Sequence, residues 1–161
     1  MSEKIAVFSN SRSTVCISIP YLHLKKEWNK KGAKVMIDKE ILEEAMFDPG
    51  VEYMFKNGIL YIKEMATKID LGLEPEGAQK PENIIILTDA EKDDYMKNKQ
   101  AWQLKEVLNK LTYEGKKDFC EYVVEHELLD GPKAAVIKET CGFDVLHAIQ
   151  NKQANAEKTE D

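Results

Sequence analysis

The stretch Leu71-Gly72-Leu73-Glu74-Pro75-Glu76-Gly77-Ala78-Gln79-Lys80-Pro81-Glu82-Asn83 separates two kinds of pattern. Two glycines and two prolines among polar residues give it the composition of a connection, since proline donates no backbone N–H and glycine disfavours regular elements. Upstream, apolar residues recur with the two-residue period of strands; downstream they recur at three and four residues, the period of helices. The chain is therefore predicted to be α+β. A small antiparallel β module with two short helices occupies residues 1–70, a linker 71–83, an all-α helical module 84–150 and a polar tail 151–161.

Working towards the N-terminus, residues 4–8 and 14–19 are β-branched or aromatic runs joined by Ser9-Asn10-Ser11-Arg12-Ser13, and they are predicted to form a hairpin. Val15, Ile17 and Ile19 alternate onto a core face, and Pro20 ends the strand. Residues 22–28 are read as a third strand and residues 34–37 as a fourth, with a turn at Asn29-Lys30-Lys31-Gly32. Asp38 is placed to cap a helix through Met46 with Ile41, Leu42 and Ala45 inward. Asp48-Pro49 starts a second helix with Val51, Met54 and Phe55 as its stripe, and Asn57-Gly58 ends it before an extended segment at residues 59–62.

Working towards the C-terminus, Thr88 and Glu91 form a capping box after Ile84-Ile85-Ile86-Leu87, and Leu104, Val107, Leu108 and Leu111 make an amphipathic face. Residues 113–127 continue as a helix with Phe119, Cys120, Val123 and Val124 inward. Asp130 and Pro132 open another, which holds Val136 and Ile137 and stops at Gly142. Phe143 as staple and Asp144 as cap introduce a last helix with Leu146 and Ile149, after which the tail lacks large apolar residues and is not expected to order itself.

The 161 residues are 43% hydrophobic, enough for a real core. The net charge of -6 belongs to the second half: residues 1–80 carry 12 cations and 12 anions, residues 81–161 carry 11 and 17. An acidic helical module is a poor grip for a phosphate backbone. The three cysteines, Cys16, Cys120 and Cys141, form no CxxC pair and read as reduced thiols, with a Cys120–Cys141 disulfide the alternative that spacing leaves open. No apolar run approaches the roughly 20 residues of a membrane span, so no membrane partner is expected, and the protein is expected to be cytoplasmic.

No catalytic, cofactor-binding or metal site is expected. His23, His126 and His147 have no ligand at metal spacing. Cys120 with His126, and Cys141 with His147, stand six residues apart, on opposite faces of a continuous helix. Asp89, Glu91, Asp93 and Asp94 sit where the positive end of a helix dipole welcomes them, and neither GxxxxGK[ST] nor GxGxxG is present to cradle a phosphate. An enzyme acting through that acidic run would need a bound divalent ion.

Two binding surfaces remain. Met46, Phe47, Tyr53, Met54 and Phe55 crowd ten residues around Asp48-Pro49-Gly50, more apolar surface than two short helices hide; Phe47, Tyr53, Met54 and Phe55 are the candidate contacts for a protein partner or a second copy. Lys25, Lys26, Lys30, Lys31 and Lys34 surround Trp28, an arrangement that can hold single-stranded nucleic acid by charge and stacking, and this is the alternative functional reading; the ordinary reading of the same residues is that Trp28 buries in the core while the lysines solvate an edge strand and block edge-to-edge pairing. The lone arginine, Arg12, offers little for bidentate phosphate clamping.

Ser13-Thr14-Val15 through Ile19-Pro20, then Pro49-Gly50 after a short helix, then Thr140-Cys141-Gly142-Phe143-Asp144 with Ala148-Ile149, resembles a group of small tailed-phage proteins of the virion-associated kind. The resemblance implies a non-enzymatic part in a particle or assembly, located in the host cytoplasm or the virion, and carries over no functional residues. A lysine-rich, arginine-poor composition is compatible with an AT-rich genome. The expected function is thus a structural or assembly protein, with a nucleic-acid-binding regulator as the alternative.

Overall fold

The computed structural model describes residues 3–160 and divides into two units, Met1–Ile86 and Leu87–Asp161. The first is α+β and the second all-helical. The division falls at Ile86, later than the linker composition places it, because residues 71–83 fold onto the first unit, where Leu73 joins the core.

In the first unit, β1 (Lys4–Ser9) lies between β4 (Lys34–Asp38) and β5 (Leu60–Tyr61), antiparallel to both, while β2 (Val15–Ile19) pairs with β3 (Leu24–Trp28) in a separate two-stranded sheet. The expected hairpin between the first two strands is therefore corrected. The serine turn does form, with Ser9 Oγ accepting from the Ser11 N–H at 3.1 Å and Ser11 Oγ from the Ser13 N–H at 3.1 Å. It redirects the chain to the other sheet, because Ser9 gives its own N–H to Ala33 and its carbonyl to Gly32, closing β1 against the start of β4. Gly32 holds φ of +84°, the left-handed conformation glycine adopts at least cost.

Alternation then builds the core. Ile5 and Val7 of β1 point inward, as do Val15, Ile17 and Ile19 of β2, and Val15 faces Trp28 across the ladder while Ile19 faces Leu24. Trp28 is fully buried and its Nε1 donates to the Val7 carbonyl at 3.0 Å, so the second sheet is bonded to the first through a side chain. A 3-10 turn at Pro20–Leu22 links β2 to β3 and shortens the strand expected from residue 22.

Helices α1 (Lys39–Ala45), α2 (Pro49–Lys56) and α3 (Met65–Asp70) complete the unit. Asp38 precedes α1 without capping it; its carboxylate instead pairs with Lys4, its cross-strand neighbour, at 3.1 Å. Asp48 does cap α2, accepting from the Gly50 and Val51 N–H groups at 2.8 and 3.3 Å. The third helix carries no stripe in the sequence, and its end is set by Gly72: the Leu73 N–H bonds the Lys68 carbonyl and the Gly72 N–H that of Ile69, a Schellman closure.

The second unit holds α4 (Asp89–Lys97), α5 (Ala101–Lys110), α6 (Tyr113–Glu125), α7 (Gly131–Cys141) and α8 (Val145–Glu160). The capping box Thr88/Glu91 forms, as do side-chain caps at Thr112 and Asp130, and Gly142 ends α7 at φ +73°. Leu104, Val107, Leu108, Leu111, Phe119, Cys120, Val123, Ile137 and Ile149 are all buried. Phe143, expected as a staple, is 46% exposed, while Asp144 accepts from the His147 N–H at 3.0 Å. The tail departs from expectation, since α8 runs on to Glu160 with residues 151–158 exposed. Alanine, glutamine, lysine and glutamate there favour helix, and Lys152 Nζ bonds the Glu125 carbonyl at 2.9 Å.

Charge buried within this unit fixes α4, whose apolar stripe is weak. Lys92, 1% exposed, pairs with Asp118 of α6, itself 7% exposed, and approaches Asp89 at 3.4 Å. At the other end of α4, the buried Lys133 donates to the Met96 carbonyl at 2.6 Å, a cation set against the negative pole of the helix. The Lys92 ammonium lies 5.0 Å from the Tyr122 ring centre, and the Tyr122 ring meets that of His126 in a tilted contact at 4.2 Å between ring centres.

Removing one member of the buried pair strands the other charge. Asp118→Ala is expected to cost about 3–5 kcal/mol in urea unfolding, whereas the double variant Lys92→Met/Asp118→Leu recovers most of that loss. Equal losses in the single and double variants would show that the pair's charges do not set the cost. The Tyr122 phenol is pushed up to about 12 by burial and by Asp93. The folded state thus holds its proton more tightly than the unfolded chain does, so stability is fully present below pH 10 and falls as pH rises from 10 to 12. Tyr122→Phe is expected to abolish that part of the alkaline decline when unfolding is followed across this range.

Candidate interaction surface

An open groove of about 460 Å³ lies on the first unit, lined by Glu43 of α1, Met46 and Phe47 just after it, Glu52 and Lys56 from α2, Asp70 at the end of α3 and Leu71 to Leu73 after it. Its geometry follows from two helix stops in succession. Met46, Phe47 and Asp48 fill the link between α1 and α2, with the Phe47 N–H bonded to the Glu44 carbonyl at 3.1 Å and the Asp48 N–H to that of Ala45 at 2.9 Å. A residue in such a tight link has no helical face to turn inward, and Phe47 is 85% exposed.

The four apolar residues expected to contact a partner separate along α2. Val51 and Phe55 stand one turn apart on the buried side, so Phe55 at 1% exposure belongs to the core and is corrected as a contact. Met54 is partly buried against the same core. Tyr53, two residues from each of the core positions Val51 and Phe55, faces outward at 57% exposure. Phe47 and Tyr53 therefore remain available, with Met46 and Leu71 half-buried beside Phe47's groove.

Three carboxylates, Glu43, Glu52 and Asp70, face one ammonium, Lys56, in the lining. Lys56 is already paired with Glu52 within α2, and Asp70 accepts from Lys39 Nζ at 2.9 Å. That bond raises the Lys39 ammonium above the usual lysine range, with desolvation opposing it. Glu43 also acts on Lys39 through charge, and Glu40 and Glu44 of α1 are exposed, so the groove combines apolar lining from Met46, Phe47, Leu71 and Leu73 with an excess of carboxylates.

The basic cluster has a different fate. Trp28 is sealed in the core with its indole N–H spent on Val7, so it presents no ring face to a base, and the stacking half of that expectation is overturned. Successive residues of β3 point to opposite faces, which puts the exposed Lys25 on one side and the half-buried Lys26 on the other. Lys30 and Lys34 are exposed and Lys31 half-buried around the β3–β4 turn. Among the described residues no helix is long and apolar enough to cross a membrane.

The far wall of the groove was hidden in the apparent linker. Leu73 is 5% exposed and Glu74 3% exposed. One oxygen of Glu74 accepts from the Glu82 and Asn83 N–H groups at 2.9 Å each and the other from the Ile84 N–H at 3.0 Å, while Asn83 Nδ2 returns a bond to the Leu73 carbonyl at 3.0 Å. Desolvation holds the nearby Lys68 ammonium below the usual lysine range, with Glu74 pulling the other way. The Leu-Gly-Leu signature of a helix end was the available signal for this wall.

No protein-family model, curated protein or solved structure matches the chain.

Glu74→Ala is expected to destabilise the first unit by about 3 kcal/mol, because it leaves buried backbone donors without their charged acceptor. Hydrogen exchange of the Glu82, Asn83 and Ile84 amides should rise in the variant; protection unchanged from the parent protein would count against this role for the carboxylate.

Proposed function

We propose that this protein is a non-enzymatic interaction module that binds a protein partner through the groove beside Phe47, in the assembly setting that the phage-protein resemblance implies. The observation that carries the reading is a phenylalanine 85% exposed at the lip of an open groove with carboxylates around it. Exposed aromatic anchors next to a cavity are where binding energy concentrates. The excess of carboxylates favours a partner segment that offers an apolar side chain flanked by lysine or arginine, since such charges speed encounter and reject acidic competitors. Tyr53, on the outer side of α2, extends the contact beyond the groove itself.

A synthetic amphipathic peptide with leucine anchors and flanking lysines serves as the probe, titrated into isotope-labelled protein and followed by amide shifts. Binding should perturb Met46, Phe47, Leu71 and Gly72, weaken with salt and drop about tenfold or more in Phe47→Ser. A matched peptide with glutamate in place of lysine should not bind. Shifts that spread over the acidic helices of the second unit and ignore Phe47→Ser would overturn the reading.

A further inference from the structure

The outer strand of the three-stranded sheet presents a second surface, separate from the groove. β4 pairs with β1 along one side, and no strand of the described residues pairs with its other side. The ladder itself shows which backbone groups face that side. The Ser9 N–H bonds the Ala33 carbonyl at 3.0 Å and the Lys39 N–H bonds the Glu3 carbonyl at 2.7 Å, so 9 with 33 and 3 with 39 are hydrogen-bonded pairs. Bonded and non-bonded pairs alternate in an antiparallel ladder, which makes Val7 with Val35 and Ile5 with Ile37 the bonded pairs between them. The backbone of Val35 and Ile37 is thus turned to β1, and that of Lys34 and Met36 to the outer edge.

We propose that β4 pairs antiparallel with β4 of a second copy of this chain, about a two-fold axis at Met36, joining the two three-stranded sheets edge to edge.

Charge complementarity selects this occupant. Lys34-Val35-Met36-Ile37-Asp38 runs from a cation through an apolar centre to an anion. An antiparallel copy presents the same strand reversed, so Lys34 of each chain faces Asp38 of the other, Val35 faces Ile37, and Met36 faces itself. Residues directly opposite on paired strands have Cβ atoms about 4.5–5.5 Å apart, close enough for opposite charges to attract. Asp38 then lies between Lys4 of its own chain, already 3.1 Å away, and Lys34 of the other. Met36, 41% exposed, gains an apolar neighbour, and its N–H and carbonyl exchange bonds with those of the second Met36. On the opposite face the half-buried Val35 meets the buried Ile37 and extends the core side of the sheet.

Other registers do less well. A slip of one residue sets the outward backbone of Met36 against the inward-turned backbone of Val35 or Ile37, and the ladder cannot form. Moving the axis to Val35 or to Ile37 keeps the ladder but sets Met36 against Lys34 or against Asp38, and the ion pairs are lost. Charges on an edge strand normally discourage pairing; here their order along the strand fixes the register. The contact is five residues a side. Stable interfaces bury roughly 1,200–2,000 Å², so this smaller one is expected to be weak, forming near 500 μM and dissociating near about 10 μM.

Sedimentation velocity of the full chain across that concentration range tests this. The mass should rise from monomer to dimer, and added salt should oppose the rise. Lys34→Glu sets like charges opposite each other twice in every dimer and should weaken association by about tenfold, while Lys34→Glu/Asp38→Lys should restore it. Phe47→Ser should leave the dimer unchanged, which separates this contact from the groove. Met36→Cys in a Cys16→Ser background should cross-link through residue 36 on mild oxidation, since a bonded antiparallel pair holds its Cα atoms about 5.5 Å apart, within disulfide reach. Should a charge variant fail to fold, the position of the cross-link decides. A monomer at the highest concentration, a dimer indifferent to Lys34→Glu or lost in Phe47→Ser, or a Met36→Cys variant that does not cross-link through residue 36 would overturn the proposal.

Discussion

The Trp28 side chain has one polar atom, and it is given to the Val7 carbonyl in the middle of the core. Most of what is organised in the first unit depends on that bond. The two sheets are too small to stand alone, one having two strands and the other an edge strand of two residues. Packing the indole between them buries a large apolar surface, and the N–H···O bond fixes where the second sheet sits along β1. Ile5, Val7, Val15, Ile17 and Ile19 then share one core with Leu42, Val51 and Phe55 of the helices. That use of Trp28 also removes the ring from the surface of the unit.

The second unit solves a different problem by a different means. Four of its helices carry enough apolar surface to pack, but α4 buries only Met96 and Lys92. Two lysines from different helices compensate at its two ends, one through a carboxylate on α6 and one through the backbone of α4 itself. Ion pairs of this kind stabilise little on balance because desolvation offsets attraction. They do penalise misplacement heavily, and so they favour one register of α4 over its neighbours.

Features set by local chemistry could be read in the sequence: the caps at Asp48, Thr88 and Asp130, the stops at Gly58 and Gly142, and the alternation of Val15, Ile17 and Ile19. Strand partnership could not, because it depends on residues far apart in sequence. Ser9 to Ser13 looks like a hairpin turn and behaves as a turn, but Gly32 and Ala33 claim the backbone of Ser9. Buried charge was the least legible feature. Nothing in the sequence marks Lys92, Lys133 and Glu74 for burial, and each is buried because a specific partner lies within reach. At the candidate surface, Phe47 and Tyr53 were visible as apolar excess, and the helical spacing of Val51 and Phe55 held the information needed to send Phe55 inward. The wall from Asp70 to Leu73 was masked by its neighbours, the prolines and glycine of the following loop.

That loop has a use in protein engineering. Its two ends are tied at Glu74, whose carboxylate gathers the N–H groups of Glu82, Asn83 and Ile84, while Pro75, Glu76, Gly77, Gln79 and Lys80 between them are exposed. Closure is thus secured by the stem and not by the tip. Lengthening a loop of this kind costs only about 0.6 kcal/mol for each doubling, and loop tips that pack against nothing tolerate added sequence. The bond between Gly77 and Ala78 is accordingly a position where an epitope or a small reporter domain can be inserted with the groove wall at Leu71 and Leu73 left in place.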